Sequence, residues 1–353
     1  MRDWRDGVRR VEPYVPGEQP HEPKMIKLNT NENPYPPAPG VAEALRNTDA
    51  DSLRLYPDPE AKVLVQALAE YYGVRPSQVF VGVGSDDVLA MAFLTFFNSD
   101  LPILFPDITY SFYDVWAELF RIPYRQIPLD EDFRIVPEDY FADNGGIVFP
   151  NPNAPTGEEL PQEAIEQILE HNRNSVVIVD EAYVDFGARS ALPLIETYEN
   201  LLVVQTFSKS RGLAGMRIGF CIGSEELIRC LNDVKYSFNS YTMDQTALAL
   251  GAASLRDREY FEKTTARIAE TREWAKEELR KLGFRVGDSK ANFLFASHGR
   301  VPAEQIFRAL REQHIYVRYF NKPRIDNYLR ITVGTREEMQ ALTDFLRQWL
   351  PTV

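Results

Sequence analysis

Between residues 79 and 222, short runs of β-branched and aliphatic residues alternate with stretches whose apolar positions recur at helical spacing. The strand-like runs are 79–83, 101–105, 122–127, 146–149, 176–179, 201–205 and 217–222. The helical stretches among them include 84–93, 111–120 and 161–171. A continuous apolar run such as Leu201-Leu202-Val203-Val204 leaves no wet face. Alternation of such strands with helices therefore predicts an α/β fold, a mostly parallel sheet covered on both faces. This pattern constrains the chain more than any one motif, and it says where chemistry belongs. Ligands of open parallel sheets bind beyond the carboxyl ends of the strands. Ser85, Tyr110, Asn153, Asp180 and Lys209 all follow predicted strands directly.

The flanks read differently. Residues 1–40 are rich in proline and polar groups, with an irregular arm over 11–17 and a short extended piece at 26–37 that breaks into turns. Such an arm must lie on its own domain or on a partner subunit. Residues 41–47 suit a short helix, and Asp58 with Pro59 is placed to start a helix over 60–72. After residue 222 helices dominate, over 225–237, 243–253 and 258–282; the last holds no internal glycine or proline and is long enough to link two domains. Strands at 284–286, 292–296, 315–318 and 329–333, with helices at 302–313 and 336–349, then make a smaller α+β domain. The expected division is an arm over 1–40, a large domain over 41–255 and a small domain over 256–353.

Composition narrows the function. A net charge of −13 with no basic run argues against a nucleic-acid partner. Two cysteines, Cys221 and Cys230, make no disulfide framework and point to a reducing compartment. The four histidines, His21, His171, His298 and His314, have no metal-ligand spacing. The start M-R-D-W-R-D lacks an apolar leader and no run reaches membrane-spanning length, so a cytoplasmic protein is expected.

The densest motif is T-F-S-K-S-R-G-L-A-G-M-R-I-G at 206–219. Lys209 lies just past a predicted strand, where an amine can form a Schiff base. Thr206, Ser208 and Arg217 offer hydroxyls and a guanidinium suited to a phosphate. The Gly84-Ser85-Asp86-Asp87 turn opens a helix, whose free amides make an anion site unless Ser85 or Asp86 merely caps it. It is not a dinucleotide fingerprint, since Asp87 stands where a third glycine is needed. Asp180 follows four β-branched residues, and a buried carboxylate needs a positive partner. Pyridoxal 5'-phosphate supplies that partner at its ring nitrogen and needs the lysine and the phosphate cup as well.

S-K-x-x-G-L-A-G-x-R, D-E-A-Y (180–183), N-P-N-x-P-T-G (151–157), the G-S-D turn and R-I-T-V-G-T-R-E-E (330–338) together resemble the fold-type I aminotransferases. L-N-T-N-E-N-P-Y, R-L-Y-P-D-P-E-A and L-R-I-T-V-G-T narrow the resemblance to the histidinol-phosphate aminotransferases, over about residues 10–350. The resemblance implies a seven-stranded, mostly parallel sheet sandwiched by helices and a homodimer. It implies Lys209 as the cofactor-binding amine and proton shuttle, Asp180 at the pyridine nitrogen, Tyr183 at the ring oxygen and Tyr110 stacked on the ring. The amides of Ser85 and Asp86, with Thr206, Ser208 and Arg217, would hold the phosphate. Tyr56 would reach the cofactor of the other subunit. Arg330 would clamp the substrate carboxylate, and Tyr14, Asn31 and Arg318 would surround the rest of the substrate. The substrates implied are histidinol phosphate and the glutamate/2-oxoglutarate pair.

Three positions depart from the pattern. Ala154 stands where asparagine usually precedes Pro-Thr-Gly, so either Asn153 reaches the ring oxygen by a shifted loop, the favoured expectation, or Tyr183 holds it alone. Arg211 replaces an aromatic or small residue and is expected to add positive charge near the phosphate. Val83 replaces an asparagine. An aromatic or broad-specificity aminotransferase, or a threonine-phosphate decarboxylase, would keep the same cofactor residues. A sensor without catalysis would usually carry an added DNA-binding segment.

Overall fold

The computed structural model describes residues 3–15, 17–20 and 23–353, so His21 and Pro16 of the arm lie outside the described residues. Among the described residues twelve strands form two sheets: β1 (Ile26–Leu28), β2 (Val79–Val83), β3 (Ile103–Pro106), β4 (Tyr124–Ile127), β5 (Gly146–Pro150), β6 (Val177–Asp180), β7 (Leu201–Thr206), β8 (Ile218–Gly223), β9 (Phe284–Val286), β10 (Phe293–His298), β11 (Ile315–Tyr319) and β12 (Leu329–Thr332).

The seven-stranded sheet has the order β2-β8-β7-β6-β5-β3-β4. From β7 to β4 every pairing is parallel, whereas β8 runs antiparallel to both β7 and β2. The reversal has a simple cause. The link from Thr206 to Ile218 carries only a single short turn, Ala214–Met216, and has no helix with which to cross back over the sheet. As a result the carboxyl ends of β2, β5, β6 and β7 and the amino end of β8 share one rim.

Strand residues alternate between two helical layers. Val177, Val179, Leu201 and Val203 pack with Leu64, Ile165, Ile168 and Leu248 on one face, from helices Lys62–Tyr72, Gln162–His171 and Gln245–Arg256. Ile178, Leu202 and Val204 pack with Val88, Phe93 and Leu231 on the other, from helices Ser85–Phe96 and Glu225–Phe238. Each fully buried side chain of this size contributes about 1.5–3 kcal/mol, so the rim is held on a rigid base.

The second sheet has the order β1-β11-β12-β10-β9. β1 lies parallel to β11, and the other neighbours are antiparallel. Helices Arg258–Lys281, Ala303–Glu312 and Arg336–Trp349 bury Leu279, Ile306, Leu310, Leu342 and Leu346 against it. The arm's extended piece is thus an edge strand of this sheet.

Several boundaries differ from expectation, and two of the differences have a plain backbone cause. The helix expected from residue 60 starts at Lys62, because Ala61 is left-handed (φ 50°) and the Asp58 carboxylate accepts from the amides of Glu60 and Lys62 ahead of it. β8 starts at Ile218 because Arg217 is itself left-handed, also at φ 50°. Among the described residues no helix is long and apolar enough to cross a membrane, and no cluster of His, Cys, Asp and Glu could hold a metal ion.

Candidate active site

Asp180 ends β6 on the shared rim and is almost fully buried. Its carboxylate accepts from Tyr113 Oη at 3.0 Å and from the Ala182 amide at 3.2 Å. Among the described residues it forms no ion pair. Burial pushes its pKa up from 3.8 to about 6, against those two hydrogen bonds and with help from the nearby Asp86 charge. On the adjacent strand end, Lys209 directs Nζ to the carbonyl oxygen of Thr30 at 3.1 Å and lies 5.8 Å from the centre of the Tyr183 ring. Among the described residues, a buried carboxylate with no ion pair and a lysine with no ion pair therefore stand at the ends of neighbouring strands.

An anion cup adjoins them. Helix Ser85–Phe96 begins after Gly84 with no side-chain cap; Asp87 turns back to accept from the Val83 amide at 2.9 Å. The capping alternative is thus not realised, and the first amides stay available. Gly84 has φ 86°, and a Cβ there would come within 2.4 Å of the Arg217 guanidinium. A Cβ on Gly219 would meet the Gly84 and Ser85 backbone at 2.2–2.3 Å. Only glycine at both positions lets β8 bring Arg217 against the helix start. Arg217 pairs with the Asp86 carboxylate at 3.2 Å and lies 3.5 Å from Ser208 Oγ. Thr206 Oγ1 donates to Ser208 Oγ at 3.0 Å and accepts from the Ser208 amide at 3.1 Å. Tyr110 Oη donates to Asp86 at 2.6 Å, so its ring borders the same space.

The small sheet supplies the opposite wall. Arg318 on β11 and Arg330 on β12 are direct cross-strand partners. Arg330 is partly buried, donates to the Asn29 carbonyl at 3.0 Å, and leaves Nε without a hydrogen-bond partner. Burial and the nearby Arg318 charge lower its pKa, against the tyrosines around it. Among the described residues neither arginine has a carboxylate partner. Asn31, left-handed at φ 56°, is clamped by Thr332: its amide donates to Thr332 Oγ1 at 2.9 Å, and that hydroxyl donates back to Asn31 Oδ1 at 3.0 Å. This fixes Asn31 Nδ2 on Tyr183 Oη at 2.9 Å and leaves the Tyr183 hydroxyl proton free to donate. Tyr14 stacks on Phe112 at 4.2 Å and, with Arg318, lines a cleft of about 640 Å³ between the arm and both sheets.

Other expectations fall out differently. Asn153 is buried, and its amide donates to Ile108 O at 2.9 Å and Thr156 Oγ1 at 3.2 Å while its oxygen accepts from Thr109. With both hydrogens engaged it pins its own loop, and the favoured shift toward a ring oxygen is not what these bonds provide. Arg211 does not add charge to the cup. It points the other way, over the rings of Phe261 and Tyr71 at 4.2 and 4.7 Å, and donates to Ser254 O. Tyr56 is 80% exposed and packs its ring on Tyr241, at 4.7 Å. Tyr113, Asn33 and Thr332 were not foreseen. Tyr113 carried a weak signal in the aromatic cluster T-Y-S-F-Y (109–113), and Asn33 and Thr332 stand inside the quoted motifs L-N-T-N-E-N-P-Y and L-R-I-T-V-G-T, which give them no role by themselves.

The chain is similar to known proteins over nearly its whole length. The model of the family described as aminotransferase class I and II matches residues 23–346. Histidinol-phosphate aminotransferase 1 of Hydrogenovibrio crunogenus is 56% identical over 348 residues, 98% of either chain. The histidinol-phosphate aminotransferase of Lactococcus lactis subsp. cremoris (strain MG1363) is 52% identical over 347 residues, again 98% of either chain. Among solved structures, the Sinorhizobium meliloti histidinol-phosphate aminotransferase, in complex with pyridoxal-5'-phosphate, superposes with a TM-score of 0.83 at 25% identity, covering 92% of both chains. The Clostridium acetobutylicum histidinol-phosphate aminotransferase has the same fold, with a TM-score of 0.86 over 93% of this chain and 100% of its own at 21% identity. With a buried carboxylate, a lysine and an anion cup on one rim, and relatives of this similarity over nearly its whole length, the chain belongs to the class I and II aminotransferases.

Proposed function

We propose that the protein transfers the amino group between L-histidinol phosphate and 2-oxoglutarate, giving imidazole-acetol phosphate and L-glutamate, with pyridoxal 5'-phosphate as cofactor, in histidine biosynthesis. The observation that carries this reading is Asp180, a buried carboxylate raised to about 6 with no cation beside it, one strand from Lys209. A protonated ring nitrogen is the partner it lacks. The substrate is named from the relatives, whose identity extends over the arm and the small sheet as well as the cofactor rim.

When bound, the cofactor supplies an aldehyde that takes up the amino group and a ring that withdraws electrons from the carbon losing its proton. The chain's residues do the rest. Asp180, anionic at neutral pH and oriented by Tyr113 and Ala182, keeps a proton on the ring nitrogen. Tyr183 donates to the ring oxygen, since its own oxygen is taken by Asn31; Asn153 steadies the loop behind it. Tyr110 covers the ring. The amides of Ser85 and Asp86, with Thr206, Ser208 and Arg217, hold the phosphate by helix-start and charge-assisted hydrogen bonds. Lys209 serves as the amine that removes the substrate α-proton and returns it.

Arg318 and Arg330 bind the anionic end of either substrate, a phosphate in one half-reaction and a carboxylate in the other, with Tyr14 and Asn31 beside it. Arginine suits both because its fork meets planar and tetrahedral oxyanions alike. A homodimer goes with this reading. Leu53, Leu55, Tyr56, Phe238 and Tyr241 are exposed apolar residues, with Tyr56 packed on Tyr241, that a second copy would cover, Tyr56 reaching that copy's cofactor phosphate. The free cysteines and the metabolic role of the relatives favour the cytoplasm.

A substrate panel tests the proposal. Cofactor-loaded protein is assayed with histidinol phosphate, phenylalanine, tyrosine, aspartate and threonine phosphate, each with 2-oxoglutarate. The highest kcat/KM is expected for histidinol phosphate. A strong preference for an aromatic amino acid would overturn the substrate assignment, and carbon dioxide release from threonine phosphate without a ketoacid would replace it with a decarboxylase.

A further inference from the structure

Behind the rim, on the side away from the cofactor cup, two further acids sit where the reaction does not reach. Glu181 follows Asp180 directly. Its carboxylate accepts from Ser190 Oγ at 2.7 Å, the Ala191 amide at 2.5 Å and Gln205 Nε2 at 2.9 Å, and Gln205 accepts in turn from Tyr72 Oη at 2.7 Å. Asp185 lies one turn further on, in the short turn Val184–Phe186. Its carboxylate accepts from Ser210 Oγ at 2.5 Å and faces the Arg211 guanidinium. Burial raises the pKa of both acids, that of Glu181 to about 7, while Ser210 and Arg211 oppose the rise at Asp185.

These contacts fall on the residues that follow Lys209. Lys209, Ser210 and Arg211 are consecutive, and each is held from a different side. Asn33 Nδ2 donates to the carbonyls of Lys209 and Ser210, at 3.0 Å each. Arg211 is anchored in its aromatic box and on Ser254. Asp185 grips Ser210. The Glu181–Gln205 contact ties β6 to β7 below the rim; the Asp185–Ser210 contact ties the loop that follows Asp180 to the loop that carries Lys209. A hydroxyl–carboxylate bond is directional and charge-assisted, so it sets position where apolar packing would leave slack.

We propose that Asp185 is a positioning residue for the reaction: through Ser210 it fixes where the Lys209 amine stands relative to Asp180, without touching substrate or cofactor. The proposal rests on the reading of Lys209 as the cofactor-binding amine. It uses the sensitivity of covalent chemistry to small displacements, in which an ångström at the reacting atom costs far more than it costs a binding site held by several amides.

Two compounds separate position from general integrity. Pyridoxal phosphate must reach the cup and then condense with the Lys209 amine, releasing water; pyridoxamine phosphate needs the cup alone. Ser210→Ala and Asp185→Ala are expected to slow the condensation, followed by visible absorbance, by about 10- to 100-fold, with affinity for pyridoxamine phosphate unchanged. Asp185→Asn keeps an acceptor for Ser210 and is expected to recover most of the rate. The double alanine variant is expected to be no slower than the slower single variant. In turnover, kcat falls and KM for glutamate stays. Parental condensation in Ser210→Ala would overturn the proposal, as would a matching loss of pyridoxamine phosphate affinity, which marks general damage. Failure of the parent chain to take up either compound would instead overturn the cofactor reading itself.

Discussion

Two arginine-bearing sites of this molecule are built in opposite ways. At the end of the large sheet, Arg217 is exposed, shares its charge with Asp86, and stands among helix-start amides and hydroxyls drawn from two short stretches of chain. In the small sheet, Arg318 and Arg330 face each other across antiparallel strands, and the arm lies beside them. Like charges placed directly opposite destabilise a sheet, so an anion bound to both relieves a cost built into the register. The first site distributes its grip over many small donors, which suits a group that stays. The second concentrates positive charge in two guanidiniums placed opposite each other, which under the proposed function would suit substrates that exchange, one with a phosphate and one with a carboxylate.

Substitutions can break that division. Lys209→Ala serves as the reference because Lys209 belongs to neither anion site: turnover is expected to fall by at least about 10²–10⁴-fold, with pyridoxamine phosphate still bound. Normal steady-state activity in this variant would sink the scheme. Arg330→Ala is expected to cut kcat/KM for glutamate by about 10²–10³-fold, with cofactor affinity unchanged, and Arg330→Lys to recover only part because an ammonium has no fork. Loss of cofactor affinity instead would merge the two sites into one. Arg217→Ala is the converse, with cofactor Kd expected to weaken by about 10- to 100-fold and KM for glutamate unmoved, as read by cofactor titration.

The smallest effect is on stability. Raising a carboxylate from 3.8 to about 6 costs about 3 kcal/mol at neutral pH when no cation compensates. The sign follows from proton binding: the folded group holds its proton more tightly than the unfolded one, so the cost is full above about pH 6 and is relieved as pH falls toward 3.8. Asp180→Asn should therefore raise the Tm of cofactor-free protein at pH 8, by a margin that shrinks toward pH 4.5. A constant margin would show that Asp180 is not the strained group.

The large-sheet side of the comparison was legible in the sequence as a cluster because its parts are local. The strand that delivers Lys209, the loop that returns Arg217 and the glycine turn at Gly84 each show in a dozen residues or fewer. Even there the linear reading failed where direction mattered. Arg211 has the right charge in the right motif but turns into an aromatic box, a choice set by Tyr71 and Phe261 from distant helices. Asn153 has the right side chain, but its hydrogens are spent on Ile108 and Thr156. On the substrate side, Arg318 and Arg330 were read as candidates from resemblance; that they stand face to face is a fact of register, and the clamp of Asn31 by Thr332 spans 301 positions. No motif can carry a contact of that separation.

That separation has a consequence for how the chain comes to work at all. Thr30 meets Lys209, Asn31 meets Tyr183 and Thr332, and Asn29 meets Arg330. β1 can pair only with β11, which is made some 290 residues later. Contacts so far apart in sequence close late in folding, after the shorter loops have formed. β1, made before both sheets are complete, is thus among the last elements to settle. A chain that ends before β11 has no strand on which β1 can pair, and so nothing in the small sheet to hold Thr30 over the amine. Catalytic competence is then a check on completion, withheld until β12 is in place.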